Sequence, residues 1–134
     1  MLTQLSVFLE NKEGKLDKVL RFLTEAGIDI RALTLADSTD FGMVRMIADD
    51  PHRAKEALEA AHCIATVTDV VGVVVPDTVG GLSGLLSLLT ANGIAIEYMY
   101  SCLTDARGDA RMVLRVADAL AVENLLKEKG YTVL

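Results

Sequence analysis

Residues Leu5–Ile30 read LSVFLENKEGKLDKVLRFLTEAGIDI, and Val71–Ile96 read VGVVVPDTVGGLSGLLSLLTANGIAI. At an offset of 66 the two stretches share Val7/Val73, Gly14/Gly80, Leu16/Leu82, Leu20/Leu86, Leu23/Leu89, Thr24/Thr90, Gly27/Gly93, Ile28/Ile94 and Ile30/Ile96. Further on the match resumes at an offset of 68. Val44, Met46 and Ala48 then fall on Met112, Leu114 and Val116, Asp50 on Asp118, and Ala57-Leu58 on Leu125-Leu126. The second copy therefore carries two extra residues near 106–109, where a hairpin loop tolerates an insertion. The 134 residues are two copies of one unit, expected as domains 1–68 and 69–134.

Each copy reads as βαββαβ. Leu5, Val7 and Leu9 alternate with Ser6 and Glu10 at strand period. Leu16, Val19, Leu20 and Leu23 recur at helical spacing, as do Leu82, Leu85, Leu86 and Leu89. Gly27 and Gly93 stop these helices, because glycine adopts the left-handed conformation a helix end needs. Second strands are expected over 28–36 and 94–103, turns at 38–40 and 105–109, and third strands over 43–48 and 111–117. Asp50-Pro51 starts a second helix with Ala54, Ala57, Leu58 and Ala61 inward; Asp118 starts its counterpart with Val122, Leu125 and Leu126 inward. Strands at 64–67 and 131–134 finish the units. The run IATVTDVVGVVV over 64–75 leaves no room for a linker. The fold class is α+β: two tandem ferredoxin-like units, each a four-stranded antiparallel sheet with both helices on one face.

Composition narrows the function. The chain is 51% hydrophobic but only 4% aromatic, so its cores are aliphatic and disorder is excluded. A net charge of −6 argues against nucleic acid or an anionic membrane as partner, since both need a basic face. Cys63 and Cys102 form no framework and read as free thiols in a reducing cytoplasm. Neither a signal peptide nor a membrane-spanning run is legible.

Three features in each copy resemble the ACT domain, a small regulatory module that mostly binds amino acids. The first is a strand followed by a polar loop with glycine, LENKEGKL over 9–16 and VPDTVGGL over 75–82. The second is the helix ending EAGIDI over 25–30 and ANGIAI over 91–96. The third is the strand that follows, RALTLAD over 31–37 and EYMYS over 97–101. The stretches STDFG over 38–42 and IEYMY over 96–100 are similar to a freestanding subgroup with two ACT units and no catalytic domain. The resemblance spans essentially the whole chain. One departure is that the loop glycine often follows proline in ACT domains, whereas Glu13 and Val79 stand there here. A less rigid loop and a different ligand preference in each copy are expected from that.

The glycine loop leads into a helix start, where unpaired N–H groups and the macrodipole favour a carboxylate. Gly14, Gly80 and Gly81 let a ligand approach the backbone; Asn11 and Asp77 offer oxygens to an ammonium. The same residues also suit a bland reading, in which Asn11 and Asp77 cap helices and the glycines shape turns. The resemblance implies a ligand held between this loop and the start of the second strand of an adjacent unit. The candidate ligand-binding set is then Asn11, Glu13, Gly14, Leu16, Ile28, Ile30, Asp77, Gly80, Gly81, Leu82, Ile94, Ile96 and Tyr98. Tyr98 and Tyr100 share a strand face and suit interface packing equally well.

Rival functions of this topology fit less well. An RNA-binding sheet needs aromatics on its central strands, which here carry Val, Leu and Met. A phosphatase of this fold needs an arginine in the first loop, and 9–16 holds none. His52, His62 and Cys63 make neither a metal-ligand pattern nor a nucleophile–base arrangement. No catalytic residue, metal or cofactor is expected. Two functions stand: a freestanding amino-acid-binding regulator, cytoplasmic, homodimeric and acting on a protein partner, or an assembly module without a ligand.

Overall fold

The apolar spacing of each copy becomes one sheet face covered by two helices. The computed structural model describes residues 1–10, 12–36, 40–102 and 109–134, and the backbone of Asp37. The expectations for Asn11, for the turn at 38–39 and for the inserted loop over 103–108 lie outside the described residues. The element order is β1 (Leu2–Glu10), α1 (Lys15–Glu25), β2 (Ile30–Asp37), β3 (Phe41–Ala48), α2 (Pro51–Ala60), β4 (Ile64–Pro76), α3 (Gly81–Ala91), β5 (Tyr98–Ser101), β6 (Asp109–Arg115), α4 (Ala119–Glu128) and β7 (Thr132–Val133). The chain divides into two compact units, Thr3–Thr68 and Met1–Leu2 with Asp69–Leu134. β4 is a single strand of 13 residues that closes the first unit and opens the second, so no linker intervenes.

In the Thr3–Thr68 unit the strand order is β2-β3-β1-β4. β3 pairs antiparallel with β1, Val7 opposite Val44, and with β2, Leu35 opposite Val44. Leu5, Val7 and Leu9 meet Val44 and Met46 beneath Val19, Leu23, Ala54 and Leu58. The second unit repeats the plan with β5-β6-β4 and β7 beside β4. There Val71, Val73 and Val75 meet Leu114 and Val116 beneath Leu85, Leu89, Val122 and Leu126. Among the described residues no helix is long and apolar enough to cross a membrane.

All four helices end in the same way. The residue after the C-cap has a positive φ: Gly27 at 72°, His62 at 64°, Gly93 at 68° and Gly130 at 86°. Each following residue then donates back into the helix, Ile28 to Leu23, Cys63 to Leu58, Ile94 to Leu89 and Tyr131 to Leu126, at 2.9–3.0 Å. This paired closure satisfies carbonyls that would otherwise be stranded. His62 alone among the described residues takes that backbone shape without being glycine.

The helix starts fall into two kinds. Asp50 Oδ1 accepts from the Arg53 amide at 3.1 Å, and Asp118 Oδ1 from Ala121 at 3.1 Å, so α2 and α4 are capped as their sequence requires. α1 and α3 begin at left-handed Gly14 and Gly80, with no side-chain cap.

Several local expectations shift. The strand expected from Ile94 begins only at Tyr98, because Ile94 is still tied to α3 and Ile94 and Ile96 pack against the core. Leu82, placed on the inward face by spacing, is 39% exposed in the first turn of α3. Ser6 and Gln4 point away from the helices yet are buried, with Gln4 Nε2 donating to Ser6 Oγ at 3.2 Å. Glu123, on the buried side of α4, is 7% exposed. It meets the Met1 ammonium at 2.6 Å and Lys127 Nζ at 2.9 Å. Hydrogen bonds from the N-terminus and then from Lys127 hold its carboxyl below the ordinary range.

Two outcomes follow for stability. Leu89→Ala, at a site 1% exposed, should cost about 2–5 kcal/mol in urea unfolding, whereas Leu82→Ala should cost well under about 1 kcal/mol. Because the folded pKa of Glu123 is depressed, its contribution is present above the unfolded value of about 4.3 and is lost as pH falls through the folded value. Glu123→Gln should therefore flatten the acid limb of a stability–pH profile.

Candidate functional site

The two strand-to-helix loops are built differently from the same plan. In the first, the Lys12 amide donates to Glu10 at 2.8 Å and the Lys15 amide to Lys12 at 3.3 Å. Lys12 Nζ also pairs with Glu10 at 2.9 Å, and that hydrogen bond lowers the Glu10 pKa. In the second, the Gly81 amide donates to Thr78 at 3.0 Å, and the loop folds so tightly that a Cβ on Gly81 would meet the Pro76 carbonyl oxygen at 2.1 Å. Lys15 holds the matching place in the first loop, so only the second loop demands glycine there. Without a side-chain cap, both helices present first-turn amides and the positive end of the macrodipole at their loops.

A cleft opens beside each loop, and the two match under the repeat. The first, about 400 Å³, is lined by Phe8, Lys15, Lys18, Phe41, His62 and Ile64 among others. The second, about 520 Å³, has Val74, Gly81, Gly84, Asp109, Gly130 and Thr132 at the equivalent places. The first is aromatic and cationic, with the Phe8 and Phe41 rings stacked at 5.0 Å between centroids. The second has glycine at three of those places and carries both the carboxylate of Asp109 and the ammonium of Lys129, beside Tyr131. A ligand that fits one has little reason to fit the other.

The structure distributes the sequence candidates unevenly. Gly80 and Gly81 line the second cleft. Glu13 and Asp77 are exposed on the loops, and Asp77 does not cap α3, whose N-cap is Gly80. Asn11 lies outside the described residues. Leu16 packs half-buried on its core, Ile28 is buried in it, and Ile30, Ile94 and Ile96 lean on their cores. Tyr98 lies half-buried on β5 opposite Arg115, and Tyr100 is buried opposite Val113. Eleven helical residues separate Gly14 from the Gly27–Ile28 turn, about 16 Å of helix at 1.5 Å per residue. Within one unit the loop and the isoleucines cannot touch the same amino acid. Phe8, Lys18, Phe41 and His62 were missed from sequence. The signal was available in the repeat itself, where Gly84 and Gly130 are replaced by Lys18 and His62.

Other groups are accounted for locally. Burial raises the Cys102 thiol pKa, with Arg111 opposing. No cluster of metal-ligating side chains forms among the described residues.

The comparisons with known proteins agree with this architecture. Residues 1–132 match the ACT domain pair family, and the chain belongs to it. A crystal structure of protein BT0572 from Bacteroides thetaiotaomicron is similar at 40% identity, TM-score 0.92, covering 99% of this chain and 91% of that one. The regulatory subunit of aspartate kinase from Thermus thermophilus, in its ligand-free form, shares the fold at 17% identity, TM-score 0.66, covering 96% and 92%. Its counterpart from Thermus flavus does so at 19% identity, TM-score 0.65, covering 94% and 90%. A search of curated protein sequences returned no match.

The tight second loop makes a test of its own. Gly81→Ala should force Pro76 and the start of α3 apart, moving the amide resonances of 77–84 while those of α1 stay in place.

Proposed function

We propose that this chain is a non-catalytic regulatory module that binds a small ligand, an α-amino acid, at its glycine loops. The observation that carries the reading is the contrast between helix starts. α2 and α4 are closed by aspartate, while α1 and α3, at the loops where the ACT resemblance puts the ligand, are left open behind left-handed glycines. An incoming carboxylate would take the place of the missing cap. Asp77 and Asn11 would receive the ammonium, and Ile28, Ile30, Ile94, Ile96 and Tyr98 would belong to the strand start that a neighbouring unit supplies. The likeness to the Thermus regulatory subunits of aspartate kinase supports the regulatory part. The module would then work in the cytoplasm as a homodimer, passing its ligand state to a protein partner.

The second reading, an assembly module without ligand, draws on Leu33 and Leu35. They are exposed on β2, an edge strand, although their cross-strand partners Met46 and Val44 are fully buried. An apolar edge of this kind invites another strand.

Thermal shift against the common amino acids separates the two. A ligand at a hundred times its Kd stabilises the folded state by about 2.7 kcal/mol, which moves the midpoint by several degrees. A selective rise, lost in Asp77→Ala or Asn11→Ala with folding retained, is the expected result. A folded dimer that responds to none of them would leave the assembly reading in place.

A further inference from the structure

The two units also differ where the first helix hands over to the next strand, at the far end from the glycine loops. In the Thr3–Thr68 unit this corner is filled. The Arg53 guanidinium reaches back across it and donates to the carbonyl of Ala26, the C-cap of α1. Its Nη2 lies 3.4 Å from where a Cβ on Gly27 would stand. Beside it the Asp29 amide donates to Asp49 Oδ1 at 3.0 Å. In the second unit the three matching residues are all alanine: Ala121 for Arg53, Ala95 for Asp29 and Ala117 for Asp49. Nothing lies within 4 Å of a Cβ built on Gly93. A cavity of about 550 Å³ opens there, lined by all three alanines together with Asn92, Ile94, Glu97, Asp118, Val122 and Leu125 among others.

We propose that this cavity is a binding site for a small guanidino compound with an aliphatic stem, whose guanidinium takes the place that Arg53 fills in the sister unit. The filled corner is an internal template for the empty one. It shows that the geometry accepts a guanidinium against the C-cap carbonyl, which in the second unit belongs to Asn92. The electrostatics point the same way. α3 has no basic residue in its last turn, so the negative end of its dipole faces the cavity without a cation of its own. Among the described residues the charged ones lining the cavity are Glu97 and Asp118. Glu97 is partly engaged by Arg115 at 3.3 Å, and Asp118 caps α4 through one oxygen. Both carboxylates still put negative charge at the rim. The walls beneath are apolar, from Ile94, Val116, Val122 and Leu125, and suit a methylene stem. The volume lies within the roughly 300–1,000 Å³ usual for small-molecule sites. The cavity lies away from the glycine loops and shares Ile94 with the residues assigned above to the amino acid; the Arg53 corner supports it without that reading.

The test is a titration of the full chain with agmatine and, separately, with arginine, followed by amide NMR; pentanoate serves as the anionic control. Saturable one-site shifts at Gly93, Ile94 and Val122 with agmatine, and none there with pentanoate, are expected. Agmatine has no carboxylate, so a response to it cannot come from a helix N-terminus at the glycine loops. Arginine binding as well as agmatine would mean that only the guanidinium and stem are read; weaker arginine binding would mean that the rim carboxylates repel the added carboxylate. Ala121→Arg, which installs the sister unit's own side chain, and Ala121→Leu, which fills the space without charge, should each weaken agmatine binding at least about tenfold. Arg53→Ala should open the twin corner and raise the stoichiometry from one to two. Absence of saturable shifts at these residues in the unmodified chain, or agmatine affinity unchanged in whichever of the filled variants folds, would overturn the proposal.

Discussion

Each unit depends on burying one face of a small sheet under two helices. Val7, Val44 and Met46 in one unit, and Val71, Val73 and Leu114 in the other, have no exposure at all. They reach that state only because Leu23 and Leu58, or Leu89 and Leu126, close over them. About 66 residues supply little more core than this, so the helices cannot slide or tilt without exposing it. Their ends are therefore held at the rims of the sheet. Clefts and corners are left between the helix ends.

Fixing the ends also explains the chemistry left over there. A helix terminus has amides or carbonyls without partners, and each unit answers this in two ways. The C-terminal ends all close on themselves through a left-handed residue, even where that residue is His62. The N-terminal ends divide. Asp50 and Asp118 close two of them, and Gly14 and Gly80 leave the other two open. Gly14 and Gly80 hold a positive φ there, which a capping side chain would strain, and against aspartate an N-cap glycine costs only about a few tenths of a kcal/mol. Both copies retain the open form.

The duplication serves as a comparison within one molecule. Shared positions, such as Leu23/Leu89 and Asp50/Asp118, hold the frame, and the differences gather around the cavities. Lys18 and His62 face a cleft where the other copy has Gly84 and Gly130. Arg53 closes a corner that Ala121 leaves open. The two units share one frame and differ in their recesses.

The repeat, the order of elements, the aspartate caps and the glycine helix stops were legible in the sequence, because each rests on spacing or on neighbours a few residues apart. So were the glycine loops. What only tertiary structure decided are the relations between residues distant in the chain. The start of β5 at Tyr98 rather than Ile94 depends on Ile94 and Ile96 turning to the core. Glu123, buried on α4, meets the Met1 ammonium, a contact across more than 120 positions that no periodicity encodes. Phe8 and Phe41 come together through strand pairing, and Arg53 reaches Ala26 across a strand pair. Local pattern determines which elements form and how they end. Which side chains share a cavity is set by the packing of helices on the sheet, and that lies outside any single stretch of the chain.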